Sequence, residues 1–308
     1  MIKREIVDYG VADVKSFSEL LNRMEQGWGF EAAQLANAYR IILEMVRDKE
    51  CVKFLSMTAN LVSTGLRGVI AEMIRKGLCD VIITTGGTFD HDIAKSIRKY
   101  YRGEFVMDDR DLKKKDIHRL GNILIPQESY GLAIESFTIQ MLREITREKK
   151  SFSSRDLAEE VGKRLNDRNS ILRSAYEKKI PVFTPGIVDS AFGTQLFIYS
   201  QTNEFSLNLL KDMKELSDIV FSSKKTGAII LGGGISKHHT IWWNQFKGGL
   251  DYVVSLTTAY EFDGSLSGAR LEEAITWNKV KENASTALVH VDVTLALPLL
   301  LAAVYEKI

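Results

Sequence analysis

The stretch Asp263–Lys279, DGSLSGARLEEAITWNK, runs from a Gly/Ser-rich loop into a short helical segment and sets Trp277 two residues ahead of Lys279. A lysine lying against an aromatic ring is open to desolvation, which frees its amine for imine chemistry. A surface lysine beside a partly buried tryptophan has the same residue types, and types alone favour that plainer reading. The histidines offer little to a metal. His238 and His239 are adjacent, so their side chains diverge and one ion does not take both. His91 lies between Asp90 and Asp92 with no second half of a site in view, and His118 and His290 read as structural. No metal is expected.

Four other segments are small and polar where apolar runs end: Thr84–Thr88, Gly186–Gly193, Gly232–Ser236 and Thr257–Thr258. Ligands of open parallel α/β sheets bind beyond the C-terminal strand ends, and a helix opening there offers free N–H groups to a pyrophosphate. Any one of these segments is also an ordinary turn. Four on one sheet edge suit a ligand rich in phosphates or hydroxyls, and Asn60–Gly65 fits the same geometry. The chain has neither the G-x-G-x-x-G fingerprint nor the P-loop lysine motif, so pattern alone supports a dinucleotide only weakly.

These residues need elements to hold them. Apolar positions at helical spacing over residues 14–48 predict two helices ahead of the first strand. From Val52 onward, short runs (VKFLSMT, DVIITTGG, PVFTPGIVDS, AIILGGG, YVVSLTTA and ALVHVDVT) each end in small polar residues. Amphipathic stretches lie between them, at Leu66–Lys76, Leu157–Leu165, Ser206–Ser222 and Glu272–Trp277. Strands apolar along their whole length, alternating with helices, indicate a sheet buried on both faces. The expected fold is α/β and doubly wound: a mostly parallel, Rossmann-like sheet with helices on both faces and an N-terminal helical segment. Ser154, with Asp156 and Glu159 following, reads as a helix start.

Composition bounds the function. Hydrophobic residues make up 45% of the 308 and charged residues 26%, which matches an ordinary soluble globular protein. With 4 prolines and no Gly/Ser tract, one folded unit over 1–308 is expected, with 1–48 as a helical extension. A net charge of +1 gives no electrostatic case for nucleic acid. Cys51 and Cys79 make no disulfide framework and read as reduced core residues of a cytoplasmic protein. The N-terminus MIKREIVDYG has no apolar core of a signal peptide. The run Val293–Val304 is too short for a membrane span and contains Pro298, so it predicts a buried helix.

The blocks GGGISKHH (Gly232–His239), TTAYEFDGSLSGAR (Thr257–Arg270) and EEAITWNK (Glu272–Lys279) resemble the signature blocks of deoxyhypusine synthases. ANLVSTGLR (Ala59–Arg67), TTGGTFDHD (Thr84–Asp92), IHRLGN (Ile117–Asn122), TPGIVDS (Thr184–Ser190) and VDVTLALPLL (Val291–Leu300) extend the likeness in the family's order. The resemblance implies an NAD-dependent aminobutyltransferase. Spermidine is oxidised to an imine, 1,3-diaminopropane leaves, and the 4-aminobutyl group passes through an enzyme lysine to one lysine of the translation initiation factor 5A precursor. The retained reduced cofactor then reduces the product. The nucleophilic lysine falls on Lys279, and the histidine beside the substrate falls on His238, where it shuttles a proton or orients the amine.

For NAD, the resemblance carries over Asn60, Leu61, Val62, Ser63, Thr85, Gly86, Gly87, His91, Asp189, Gly233, Thr258, Ala259, Asp263, Asp292 and Val293. For the polyamine it carries over Asp90, His91, Thr194, His238, Trp242, Gly264, Ser265, Ser267, Glu273 and Trp277. It also implies a homotetramer. The chain departs from the familiar eukaryotic pattern. Adjacent glutamates are replaced by Asp90 and His91, an aspartate by Thr194, an asparagine by Trp242 and a serine by Ala59. Asp90 then remains as one counter-charge, and Trp242 can supply a cation–π face. TTGG-x-x-DHD and KHHTIWWNQF resemble an archaeal branch of the family. Rival readings are aminobutyl transfer to a small amine, as in homospermidine synthesis, and a catalytically silent regulatory paralogue. A generic NAD oxidoreductase accounts for the glycine loops but not for the WNK block.

Overall fold

The computed structural model describes residues 4–308, so the first three residues of the expected N-terminal extension lie outside the described residues. Where the sequence reads as one folded unit, the chain groups into two compact units. Unit one comprises residues 1–57 and 217–308, and unit two comprises residues 58–216. Elements are numbered along the whole chain.

Unit one opens with the two expected helices, α1 (Phe17–Gly27) and α2 (Phe30–Arg47). Ser16 caps α1 by accepting the Glu19 N–H, and Trp28 ends it in the left-handed conformation at φ 50°. Four parallel strands follow, β1 (Cys51–Met57), β9 (Lys225–Leu231), β10 (Leu250–Thr257) and β11 (Val280–His290), in the order β11-β10-β9-β1. Met57 pairs with Leu231 and Leu256 pairs with Leu231, so these strands end level with one another. α12 (Gly234–Gln245) leaves the end of β9, α13 (Leu271–Ile275) precedes β11, and α14 (Val293–Tyr305) follows it. Seven residues of α14 are buried, which makes it the core helix expected from its apolar run.

Unit two carries the parallel pair β2 (Val81–Ile83) and β7 (Val182–Phe183), both buried. Its helices include α3 (Asn60–Ser63), α4 (Leu66–Arg75), α5 (Gly86–Ile97), α6 (Asp109–Lys114) and α7 (Gln127–Ile145). α8 (Ser154–Arg164), α9 (Ile171–Lys178) and α10 (Ala191–Ser200) follow, then α11 (Leu209–Ser222), along which the chain passes back into unit one. Small sheets β3-β5-β4 (Tyr101–Arg102, Ile123–Pro126, Ile117–Leu120) and β6-β8 (Ser151–Phe152, Ser206–Leu207) complete it. α8 starts at Ser154, as the sequence reads, and Ser153 is its cap. Its hydroxyl accepts the Asp156 N–H while Asp156 accepts the Ser153 N–H, a reciprocal capping box. The architecture is α/β, with buried parallel strands flanked by helices. Among the described residues no helix is long and apolar enough to cross a membrane.

Candidate active site

In unit one the site is built on the end of β9. Gly232 and Gly234 take φ of 88° and 64°, a tight turn that glycine adopts without strain. A Cβ on Gly233 would stand 2.4 Å from Ser267 Oγ, so the position admits only hydrogen there. Ser267 Oγ in turn accepts the Gly234 N–H at 2.9 Å. α12 therefore starts against the Ser265–Ser267 loop, and residues one helical turn apart come to share a face. His238 stacks on Trp242 with ring centroids 5.5 Å apart, and Trp243 donates its indole N–H to His239 Nε2 at 3.2 Å. The adjacent histidines thus serve different neighbours.

Lys279 enters from the other side. Asn278 adopts the left-handed conformation at φ 55°, which turns the chain from α13 into β11. The lysine is buried to 8% exposure, and its Nζ lies 5.0 Å from the Trp277 ring centroid and 5.7 Å from that of Trp242. Two tryptophan rings thus face one amine, within the range where an aromatic face attracts an alkylammonium. A cavity of about 150 Å³ adjoins it, lined among others by Lys237, Leu266, Glu273, Trp277 and Lys279. Burial, and then the charge of Lys279, holds the His238 imidazole below its ordinary range. At neutral pH the imidazole is uncharged, stacked on the same Trp242 ring that Lys279 approaches.

The resemblance did not single out Lys237. It is buried, and its Nζ donates to the carbonyls of Leu266 at 2.7 Å and Ala269 at 2.9 Å, tying the 265–269 loop to α12. Burial lowers its pKa to about 8. Position in the KHH block was the available signal, since a buried lysine looks like a surface lysine in sequence. Thr258 and Ala259 follow β10, with the Ala259 N–H donated to Thr257 Oγ1. Asp292 caps α14 with one carboxylate oxygen, which accepts the Thr294 N–H at 2.8 Å, and Val293 is buried behind it. Asp263 and Glu273 are exposed, and Gly264 takes φ of 71°.

Unit two gathers a second set around the N-terminus of α5. A Cβ on Gly86 would lie 2.6 Å from Ser190 Cβ, and one on Gly87 2.9 Å from Ala59 Cβ. These contacts bring Thr85–Gly87, the turn carrying Asp189 and the segment leading into Asn60–Ser63 together. Thr85 gives α5 no side-chain cap. The first N–H groups of α5, the two glycines and the exposed carboxylate of Asp189 fit the pyrophosphate and ribose of a dinucleotide. Lys95 Nζ fixes the neighbouring segment through the carbonyls of Val62 and Ser63, at 3.2 and 3.0 Å.

The other unit-two candidates sit on α5 and α10. His91 is buried, with Nδ1 3.0 Å from the Tyr100 hydroxyl, and burial pushes its pKa down to about 4, with Lys95 adding to the shift. Thr194 is exposed on the first turn of α10, its hydroxyl donating to the Ser190 carbonyl at 2.9 Å. Asp90 is buried and accepts hydrogen bonds from Tyr130, Ala191 and Phe192. Among the described residues no three histidine, cysteine or carboxylate side chains cluster as a metal site.

A sequence profile of the family described as deoxyhypusine synthase matches residues 19–304. A protein of Sulfurisphaera tokodaii named "Probable deoxyhypusine synthase" is 51% identical over 304 residues, covering 98% of this chain and 97% of that protein. One of Ignicoccus hospitalis with the same name is 51% identical over 313 residues, covering 100% of this chain and 97% of its own. A crystal structure titled as a candidate deoxyhypusine synthase from Entamoeba histolytica aligns at a TM-score of 0.66 and 20% identity. It covers 99% of this chain and 97% of that one, a likeness of fold.

Proposed function

The chain belongs to the deoxyhypusine synthase family, and from that membership we propose that it moves the 4-aminobutyl group of spermidine through Lys279 to a lysine of the translation initiation factor 5A precursor. The observation that carries this is the Lys279 amine set against the rings of Trp242 and Trp277. A polyamine is an apolar chain punctuated by cations, and aromatic walls beside an amine nucleophile suit both parts of it. Asn60–Ser63, Thr85–Gly87 and Asp189 would hold NAD in unit two, as would Gly233, Thr258, Ala259, Asp292 and Val293 in unit one. Bound NAD would accept a hydride from the polyamine and return it to the product.

The protein's own steps are those of imine exchange. Lys279 attacks the oxidised C–N carbon of the donor, a new C–N bond forms to Nζ, and 1,3-diaminopropane leaves with the old one. The acceptor lysine then displaces Lys279 in the same way. Each exchange moves protons between amines, and in this reading His238 takes and returns them. The acid limb of kcat/KM is therefore expected below about 6.5, the ordinary imidazole value. His238→Phe should lower the rate by about 10²-fold and remove that limb. A variant that retains the limb would take the titration away from His238.

Asp189→Ala should weaken NAD binding by about tenfold, the worth of a charge-assisted hydrogen bond to a ribose hydroxyl. Unchanged affinity in a direct titration would remove Asp189 from the site. We assign the work to a cytoplasmic homotetramer on the strength of family membership. The direct test is incubation with NAD and isotope-labelled spermidine, with and without the factor 5A precursor, read by intact mass. Label on the factor and borohydride-trappable label on Lys279 would support the reading. Diaminopropane release without label on the factor would point to a small-amine acceptor, and no turnover to a silent paralogue.

A further inference from the structure

Asp90 and Asp92 stand two residues apart on α5, so their side chains leave the helix about 200° apart. Both are buried, at 1% and 0% exposure, and each faces the start of a different helix. Asp92 accepts the N–H groups of Ile171 at 3.2 Å and Leu172 at 2.8 Å, with the Ser170 hydroxyl at 2.7 Å, and so seats α9. Asp90 accepts the Phe192 N–H at 2.7 Å, the Ala191 N–H at 3.0 Å and the Tyr130 hydroxyl at 2.8 Å. Ser190 Oγ takes the next amide, that of Gly193, at 2.8 Å. The first three N–H groups of α10 thus all have side-chain acceptors, two of them on Asp90.

We propose that Asp90 is a positioning residue that fixes the start of α10, and with it the Ile187–Ser190 turn carrying Asp189, rather than the counter-charge for a polyamine ammonium. The two Asp90 oxygens already accept three hydrogen bonds, two of them from a helix N-terminus, which leaves few lone pairs for a cation. That holds even though burial outweighs these donors and raises the carboxyl's pKa. At 1% exposure Asp90 also presents almost no surface to an incoming ammonium. The turn it steadies is the one that closes on Gly86, where a Cβ would also meet the Ile187 carbonyl at 2.9 Å. Asp90 thus reaches the cofactor residues through backbone, without touching a ligand.

The substrate arm of the test rests on the function proposed above, but the backbone arm does not. Asp90→Ala removes every acceptor, and Asp90→Asn keeps one oxygen. Amide hydrogen exchange at Ala191 and Phe192 should quicken at least tenfold in the alanine variant and by less in the asparagine variant. NAD affinity, titrated directly, should weaken in the same order. The KM for spermidine at saturating NAD should stay within threefold of wild type in Asp90→Asn. A tenfold rise in that KM with unchanged exchange would make Asp90 the ammonium partner and overturn the assignment. Unchanged exchange in Asp90→Ala overturns it in every case. If the wild-type protein does not turn over spermidine, the functional reading fails, and exchange with NAD titration still decides the role of Asp90.

Discussion

Lys279→Ala is expected to lose aminobutyl transfer by at least about 10³-fold, and with it every borohydride-trappable adduct, while binding NAD within about twofold of wild type. The size follows from the step removed. Without Nζ there is no covalent carrier, and the donor imine must meet the acceptor amine directly. Removing a nucleophile that acts as a unit with its base costs orders of magnitude rather than a modest factor. NAD binding is spared because its candidate residues lie on other elements, chiefly the start of α5 and the turn carrying Asp189 in unit two. Lys279→Arg should not restore transfer. The guanidinium keeps the charge against Trp242 and Trp277 but remains protonated and so is no nucleophile. Wild-type-like turnover by either variant would refute the role of Lys279, whereas loss of NAD binding alongside transfer would mean that the β11 entry had collapsed.

Much of the fold was legible because a buried parallel strand advertises itself. VKFLSMT, AIILGGG and YVVSLTTA correspond to β1, β9 and β10 within three residues at each end. β11 extends well upstream of its apolar run. Its first half, VKENAST, has exposed Glu282 and Asn283, as suits the edge position of the strand in the unit-one sheet. β7 is the reverse case. The segment PVFTPGIVDS contributes only Val182 and Phe183 as strand, because Pro185 and Gly186 turn the chain and free the backbone that carries Asp189.

The KHH and WNK blocks mark the segments that meet around Lys279, and Trp242, read as a cation–π face for the polyamine, faces Lys279 Nζ at 5.7 Å. Carboxylate roles were not legible. An aspartate that caps a helix and one that awaits a ligand look the same in sequence, and the partners of Asp90 lie 40 to 102 residues away. Lys237 escaped notice for a similar reason, since its acceptors are main-chain carbonyls that no side-chain pattern records.

The same distance in sequence hides the ion network expected to matter most for stability. Arg67 on α4 is buried at 4% exposure and donates from Nε to Asp92 at 2.6 Å, from Nη1 to Asp167 at 2.6 Å and from Nη2 to Ser96 at 2.6 Å. Burial pulls the guanidinium pKa down, and the two carboxylates more than offset it, leaving it raised. Arg67→Met keeps most of the volume and removes the charge. Asp92, fully buried, then holds only the Ser170 hydroxyl and two amides. Breaking a buried pair from one side costs about 3–5 kcal/mol, because the remaining charge stays desolvated. Urea unfolding of the two proteins should show that loss at equal slope.

The difference should also depend on pH. Burial raises the pKa of Asp167, but the Asn169 N–H and Arg67 together lower it below the ordinary value. A depressed carboxylate contributes stability above its unfolded pKa of about 3.9 and loses it as pH falls through the folded value. The gap between wild type and Arg67→Met should therefore narrow below about pH 4. A loss under about 1 kcal/mol, flat with pH, would mean that the pair behaves like an exposed one and that α4 is held by its apolar face alone.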